Sequence, residues 1–569
     1  MTVAVVLQAG VESVVDAVPL QVWQLLLLAG FAVSLGVLYR IARPRGAWAR
    51  RLRSRLLLGL PWGTLAGMAL VVCVYLFLQG GIVDLHRPVT FAFQATGFSN
   101  PLGMVTAAFA HQNFGHLFGN LAGALVFGWI AEYGFSHYGT ERGHTAFSSL
   151  RTNPFARAGA FFLGIAGFGL LMGLFSWGPI IGFSGVVYGL AGFALVVRPL
   201  PAIVAILVNE VGLVGLLYNA INNPVVEQGA SAGRSGPWFA GIAVQGHLFG
   251  FLLGALLAAL LLRRRKQNPS AGRIWLGVLL FGVGKGLWTA YWPLGSDTFL
   301  LFRALGVVLV ATLTALVVAS VGASDRPVAQ RLFDGDGRIT RRNVAAGAIV
   351  LVIVFMSMVG AFANVATIQS ADLPNDPVEI EDYRVGYVEN ATNQQYSVVG
   401  LPDVQLTQIE ASGVIVASTD RNVWQVTHSK GDLAFRNYAQ VLVGGVGWRQ
   451  EVLVTRTGWT VVGDRTTYWV RLHTDGIRRT VYTSGPVTSE AVIANRSISM
   501  RTTPGDFQIL VGRDNETIGT GELPAAGGNV TVGGLRFERV ENRLYAIHDG
   551  TRVRIANKQQ PRAERFRDR

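Results

Sequence analysis

Ten stretches of this chain are too apolar and too long to be the buried face of a soluble fold. They fall near residues 21–39, 57–80, 104–134, 157–177, 179–198, 200–221, 237–262, 274–292, 299–322 and 344–366. Each provides the roughly 20 residues that a helix needs to cross a bilayer core. In that solvent a helix satisfies its own backbone polar groups, so the first two-thirds of the chain is expected to be polytopic and α-helical. The third stretch is longer than a bilayer requires, and its first part is expected to be a loop or a half-buried segment. Charged residues make up 14% of the chain, against about 25% in soluble proteins, which excludes an ordinary cytosolic enzyme.

The net charge of +14 suggests nucleic acid until it is divided by position. Residues 367–569 hold 23 basic and 23 acidic groups, whereas the first 366 hold 25 and 11. The excess therefore sits between apolar stretches, where short basic loops mark the cytoplasmic side, and no nucleic-acid partner is expected. Residues 40–55 carry seven arginines and no acid. Residues 263–273 carry Arg263, Arg264, Arg265, Lys266 and Arg273, and the loop after the ninth stretch carries Arg326, Arg331, Arg338, Arg341 and Arg342. An even number of stretches separates these three loops, so they share one side. The N-terminus and everything beyond residue 366 are then expected outside the cytoplasm. Arginine outnumbers lysine as in a GC-rich prokaryotic genome, and a plasma membrane is the expected location. The one cysteine, Cys73, lies in an apolar run and is expected to be a small buried hydrophobe.

Beyond residue 366 the apolar pattern changes to alternation, in VWQVTHS, EVLVTRTGWTVVG, TTYWVRLHT and GLRFERV. Short strands broken by Gly, Asp and Asn turns point to an all-β, sandwich-like or barrel domain. Sequons at Asn390, Asn495, Asn515 and Asn529 agree with an outside location. The end, PRAERFRDR, is expected to be a disordered tail. The loop DGDGRITRR around Asp334 and Asp336 lacks the later ligands and closing Glu of a calcium loop, so no metal or other cofactor is expected. The resulting division is 1–56 (a helix and a basic loop), 57–262 (a six-helix core), 263–366 (three more helices), 367–556 (the β-rich part) and 557–569 (the tail).

Polar side chains inside membrane helices are costly and each calls for a reason. The fifth stretch opens with GPIIGFSGVVYG, in which Gly182, Gly185 and Gly189 strip side chains from around Ser184. That lets a neighbouring helix approach closely and leaves the hydroxyl in a crevice rather than in lipid. The seventh stretch reads AVQGHLFGFLLG, with His247 beside Gly246, Gly250 and Gly254. Both residues fall about a third of the way in from the outer face. A histidine level with a serine is the minimum for a dyad in which imidazole takes the hydroxyl proton. The third stretch supplies AHQNFGHLFGNL, with His116 and Asn120 one helical turn apart. An amide and an imidazole N–H, with the serine's own backbone N–H, are the donors an oxyanion wants. No acid lies near enough in sequence to complete a triad.

Taken together, HQNFGHLFGN, GFSG followed by VVY, and GHLFGFLLG resemble the rhomboid family of intramembrane serine proteases, in that family's order and on the second, fourth and sixth helices of a six-helix core. The resemblance implies that Ser184 is the nucleophile and His247 the base. It also implies that His116 and Asn120 stabilise the oxyanion, and that Tyr188 stacks on the histidine. Gly182, Gly185, Gly250 and Gly254 would support the site, and Glu132 matches the family's structural acid at the cytoplasmic end. Membrane proteins with a transmembrane helix would be the substrates, cut within the lipid bilayer. The family's Trp–Arg pair in the first external loop is missing; the chain has DLHRPVTFAFQATG there. Asn209 and Glu210 fall in the fifth core helix, as gate elements or as tethers to a neighbouring helix. The alternative is a catalytically silent rhomboid-like protein that binds or escorts membrane clients. The β-rich part is expected to contact substrate or envelope, to be a passive cap, or to be a second enzyme.

Overall fold

A computed structural model of the chain describes residues 19–42, 46–136, 147–150, 152–210, 243–293, 299–323, 339–368, 370–395, 410–503, 505–514 and 516–559. Each apolar stretch contains a helix: α1 (Leu20–Ala42), α3 (Trp62–Cys73, continued by a π turn over Val74–Leu78), α5 (Phe114–Phe135), α6 (Pro154–Phe175), α7 (Ser184–Val197), α8 (Pro199–Glu210), α9 (Val244–Arg264), α10 (Ala271–Gly284), α11 (Arg303–Gly322) and α12 (Arg341–Val365). Two short helices, α2 (Ala47–Arg53) and α4 (Pro101–Thr106), lie between them. Among the described residues, five helices are long and apolar enough to cross a membrane: α5, α6, α9, α11 and α12. Of the others, α3, α7 and α10 are shorter than the sequence pattern suggests. The over-long third stretch divides into α4 and α5, with the break at residues 107–113. The eighth stops at Gly284, where Gly286 takes φ +68°, and continues as a hairpin of β1 (Tyr291–Pro293) and β2 (Phe299–Leu301). Cys73 is exposed on the bundle's surface, not buried in it. An apolar side chain there faces lipid, which sequence periodicity does not separate from a protein core.

At the centre stands α7, in which every residue but Ser184 and Phe193 is buried. Its main partner is α9, and the two meet without intervening side chains. A Cβ on Gly250 would lie 2.3 Å from the Gly185 carbonyl oxygen, and one on Gly254 would lie 2.0 Å from that of Gly189. From the other side, a Cβ on Gly192 would lie 2.3 Å from the Phe251 carbonyl oxygen. Three helices beyond the core enclose it: α10 packs on α8 and α11, while α12 packs on α6, α9 and α11.

The arginine-rich segments converge at one end of the bundle. Arg265 donates to the carbonyls of Gly134 and Phe135 (2.7 and 2.6 Å), beside which Arg55 donates to those of Tyr133 and Ser136 (3.4 and 3.5 Å). Arg263 donates to Asn343 (2.7 Å) and Arg342 to Asn268 (3.1 Å). The described parts of the three basic segments thus share one side, as the even spacing of apolar stretches requires. Near that end the Glu132 carboxylate accepts the N–H groups of Gly63 and Thr64 and the Thr64 hydroxyl (3.0, 2.8 and 2.8 Å). It caps the orphan donors of α3, a structural role.

The β region covers the opposite end. One antiparallel sheet orders β3 (Val378–Ile380), β4 (Tyr383–Thr392), β5 (Glu410–Ser418) and β6 (Val423–Ser429). After the short helix α13 (Lys430–Arg436) comes a long sheet of β7 (Tyr438–Gly445), β8 (Trp448–Val461), β9 (Thr466–Thr474) and β10 (Ile477–Thr483). It is extended by β15 (Asn529–Val532), β16 (Leu535–Val540), β17 (Arg543–His548) and β18 (Thr551–Lys558). A third sheet holds β11 (Val487–Ile493), β12 (Arg496–Thr503), β13 (Asp506–Arg513) and β14 (Glu516–Glu522). Where the sequence suggests one sandwich, two hydrophobic cores share the long sheet. Val452 and Val454 of β8 enter the first with Tyr383, Val385 and Val414. Trp459 and Val461 enter the second with Ile498, Ile509 and Phe537. These two pairs differ in parity, so the cores lie on opposite faces of β8. Between them Arg456 is buried over the Tyr468 ring (3.9 Å from its centroid), and burial lowers its pKa. The last strand includes residues 557 and 558, so the expected tail starts later; residues 560–569 lie outside the described residues.

The junction between bundle and β region is closely built. Phe91, from the connection after α3, is part of the first β core, and Leu442 of β7 packs against the helical core. Arg87 bonds to Gln440 and Glu451 (3.0 and 3.2 Å), Gln425 to Gln94 (2.6 Å), and the Thr96 hydroxyl to the Arg421 carbonyl (2.6 Å). The loop that lacks the family's Trp–Arg pair is therefore shaped by the β region.

The α7–α9 contact gives a direct test. Gly254→Ala should destabilise the protein by about 1–3 kcal/mol, the usual cost of overpacking. Gly272→Ala, where the space is open, should be neutral. Denaturant titration in mixed micelles reads both, and equal effects would contradict the packing described.

Candidate active site

Ser184 is the first residue of α7, not a residue several positions inside a longer helix. The preceding residues, expected to be helical, are docked as a strand-like segment. Ile180 and Ala95 exchange backbone hydrogen bonds (3.0 and 3.3 Å), and the Gly182 N–H donates to the Ala107 carbonyl (2.9 Å). Pro179 has no N–H to give to a helix, and Gly182 takes φ +129°, a conformation L side chains rarely adopt. At its other end α7 is followed by Arg198, whose guanidinium lies over Tyr133 at the basic end. Fourteen residues rise about 20 Å, which leaves about 10 Å of a 30 Å core between Ser184 and the β-covered face.

The His247 Nε2 lies 2.8 Å from the Ser184 Oγ. The described part of α9 begins at Val244, so His247 stands near its start as Ser184 does in α7. The backbone-contact packing of the two helices sets this distance. Tyr188, one turn after Ser184, stacks on the imidazole with centroids 4.1 Å apart and planes at 14°, and its hydroxyl donates to the Lys285 carbonyl (3.3 Å). Among the described residues no side chain pairs with the His247 Nδ1, and no acid lines the cavity. The geometry is that of a pair, not a triad.

His116 and Asn120 reach the same place from α5. A Cβ on Gly182 would lie 2.5 Å from the His116 Cε1, 2.8 Å from its Nε2 and 3.6 Å from the Asn120 Nδ2. Both side chains thus face the backbone just before Ser184, and only glycine leaves room for them. The N–H groups of Ser184 and Gly185 open a helix, where no carbonyl four residues back is available to accept them. Donors and helix dipole together make such a point favourable for a developing anion. A cavity of about 510 Å³ joins these groups, lined also by Gln112, Ser176, Phe281 and Lys285.

One member of the constellation was missed in the sequence. His111 Nε2 lies 3.0 Å from the Asn120 Nδ2 and accepts the Phe183 N–H at 3.4 Å. A backbone N–H can only donate, so this nitrogen carries the lone pair and the Asn120 amide donates to it. His111 therefore orients Asn120 and steadies the residue before Ser184. Its own backbone is gripped by fully buried Gln79, which accepts the His111 N–H (2.7 Å) and donates to its carbonyl (2.8 Å). The signal was present in AHQNFGH, but His111 precedes α5 and falls outside the helical spacing that singled out His116.

Other sequence candidates stand apart. The side chains of Asn209 and Glu210, the loop with Asp334 and Asp336, and Asn515 lie outside the described residues. Asn390, Asn495 and Asn529 are in the β region, away from the cavity.

Replacing His111 by Leu leaves the Phe183 N–H and the Asn120 amide without their acceptor. A loss of about 2 kcal/mol is expected from unsatisfied buried donors, read as a lower unfolding midpoint. An unchanged midpoint would remove His111 from this network.

Comparison with curated proteins and with solved structures gives no match. The Rhomboid domain family, however, matches residues 99–264, a segment that runs from just before α4 to the end of α9 and contains His116, Asn120, Ser184, Tyr188 and His247. The chain thus carries a rhomboid domain at residues 99–264, set between additional helices and a β region that lie outside the match.

Proposed function

We propose that this protein is an intramembrane serine protease that cleaves membrane proteins in or near a transmembrane segment. The observation that carries the reading is the 2.8 Å contact between His247 Nε2 and Ser184 Oγ, in a cavity about a third of the way into the membrane. A catalytically silent, client-binding protein has no need of that contact.

In the proposed reaction His247 Nε2 takes the hydroxyl proton as Ser184 Oγ attacks the scissile carbonyl carbon. The carbonyl oxygen gains the charge and is met by the Asn120 amide, His116 and the N–H of Ser184. His247 then gives its proton to the leaving nitrogen, and the C–N bond breaks. Water, deprotonated by the same imidazole, hydrolyses the acyl-serine and restores the hydroxyl. Stacking on Tyr188 holds the imidazole plane while its charge changes. No cofactor takes part in this scheme.

A helical substrate hides its carbonyls in its own hydrogen bonds. It must unwind locally, so segments with small or helix-breaking residues near the site are favoured. Entry is from the bilayer, between the second and fifth core helices of residues 57–262. The arginine-rich end faces the cytoplasm of a cell whose plasma membrane holds the protein. The N-terminus and the β region, residues 367–556, then lie outside, where the β region contacts substrate or envelope.

Labelling of the purified protein by a fluorophosphonate tests the reading. The wild type should label at a single site. Ser184→Ala should abolish labelling and His247→Ala should slow it by about 10³-fold or more, because the two residues act as a unit. Equal labelling of all three, or none at all, would turn the reading to the silent, client-binding class.

A further inference from the structure

Resting on that reading, we infer that α12, which lies wholly outside the rhomboid domain, is a positioning element of the active site. It acts through Gln245 and Asn364, which fix residues 174–177 behind the serine.

Helix α6 ends at Phe175, and its last carbonyls have no partners within the helix. Inside a membrane such groups must be satisfied by protein. Asn364, near the end of α12, donates its amide to the carbonyls of Leu174 (2.9 Å) and Ser176 (3.2 Å). Gln245 of α9 donates to the carbonyls of Phe175 and of Met356 in α12, both at 3.1 Å, and accepts the Trp177 N–H at 3.0 Å. Both amide hydrogens and the oxygen of Gln245 are thereby used. Gly360 completes the contact: a Cβ there would lie 2.0 Å from the Phe175 carbonyl oxygen, so α12 rests directly on the end of α6.

The segment held in this way leads straight into the site. Ser176, Pro179 and Ile180 line the cavity, and Gly182 and Ser184 follow. Gln245 precedes His247 by two residues, so one side chain ties the helix bearing the base to the loop that leads to the nucleophile. A Cβ on Gly246, between them, would lie 2.8 Å from the Ser176 Oγ. The brace extends to the β region, since the Asn364 carbonyl accepts the Phe98 N–H (2.8 Å) and Asn422 donates to the Ala366 carbonyl (3.0 Å). None of these side chains touches the Ser184–His247 pair. Their effect is on where the pair sits.

The experiment compares the rate of fluorophosphonate labelling in full-length Gln245→Met, Asn364→Leu and Gly360→Ala variants. Asn343→Ala serves as control, because it removes an α12 tether to Arg263 at the opposite end. Misplacement of reacting groups by about 1 Å can cost a hundredfold. The expected result is a tenfold to hundredfold fall in the maximal labelling rate, with reagent affinity retained, for the first three variants and a wild-type rate for the control. Hydrogen exchange should quicken at residues 174–182 in those three while the rest of the bundle keeps its protection. Wild-type rates in the folded variants would overturn the inference. So would an equal loss in the control, or unfolding of all three variants as a whole, either of which makes the contacts merely structural. A wild type that does not label at all would instead overturn the protease reading on which the inference rests.

Discussion

Between α7 and α9 there is no room for a Cβ at Gly192, Gly250 or Gly254, and the two helices meet through their main chains. Lipid tails are as apolar as leucine, so helices in a membrane gain little by hiding apolar surface from it. Close packing of small residues and hydrogen bonds bring them together instead. Here that contact also sets the 2.8 Å between Ser184 and His247. Long side chains at these glycines would hold the imidazole and hydroxyl apart without altering either. The stacked Tyr188 and the glycine-backed approach of His116 and Asn120 depend on the same two axes.

Much of this was legible in the sequence because membranes simplify the code. Apolar length marked the ten main helices, though not short α2, α4 and α13; arginine placement grouped three loops at one end, and glycine spacing exposed the faces around Ser184 and His247. The parts that were not legible have identifiable physical causes. Residues 179–182 are as apolar as a helix, yet Pro179, the φ of Gly182 and bonds to Ala95 and Ala107 keep them out of one. His111 and Gln245 act through main-chain partners distant in sequence, and periodicity cannot show such partners. The alternation in β8 marks a strand but not the change of parity between Val454 and Trp459 that directs it into two cores.

The connection after α3 is built into the β region as well as into the bundle. Its Phe91 is buried among β-region residues, and its Arg87 meets Glu451. Isolated exposed ion pairs contribute little, so apolar insertion is the stronger part of this junction. Buried side-chain bonds to main chain, such as those from Asn422 to the Thr96 and Ala366 carbonyls (2.5 and 3.0 Å), add direction to it. The loop that borders the helical core takes its shape from both sides.

Strand β8 begins beside this junction, where Arg449 approaches Asp84 at 3.7 Å, and ends within the second β core. Fourteen residues of extended chain rise about 43 Å, and antiparallel neighbours along its length stiffen it. The strand is therefore a ruler. It sets a fixed separation between the mouth of the bundle and the second β core, which is carried on the junction as a stiff extension rather than on a swinging tether.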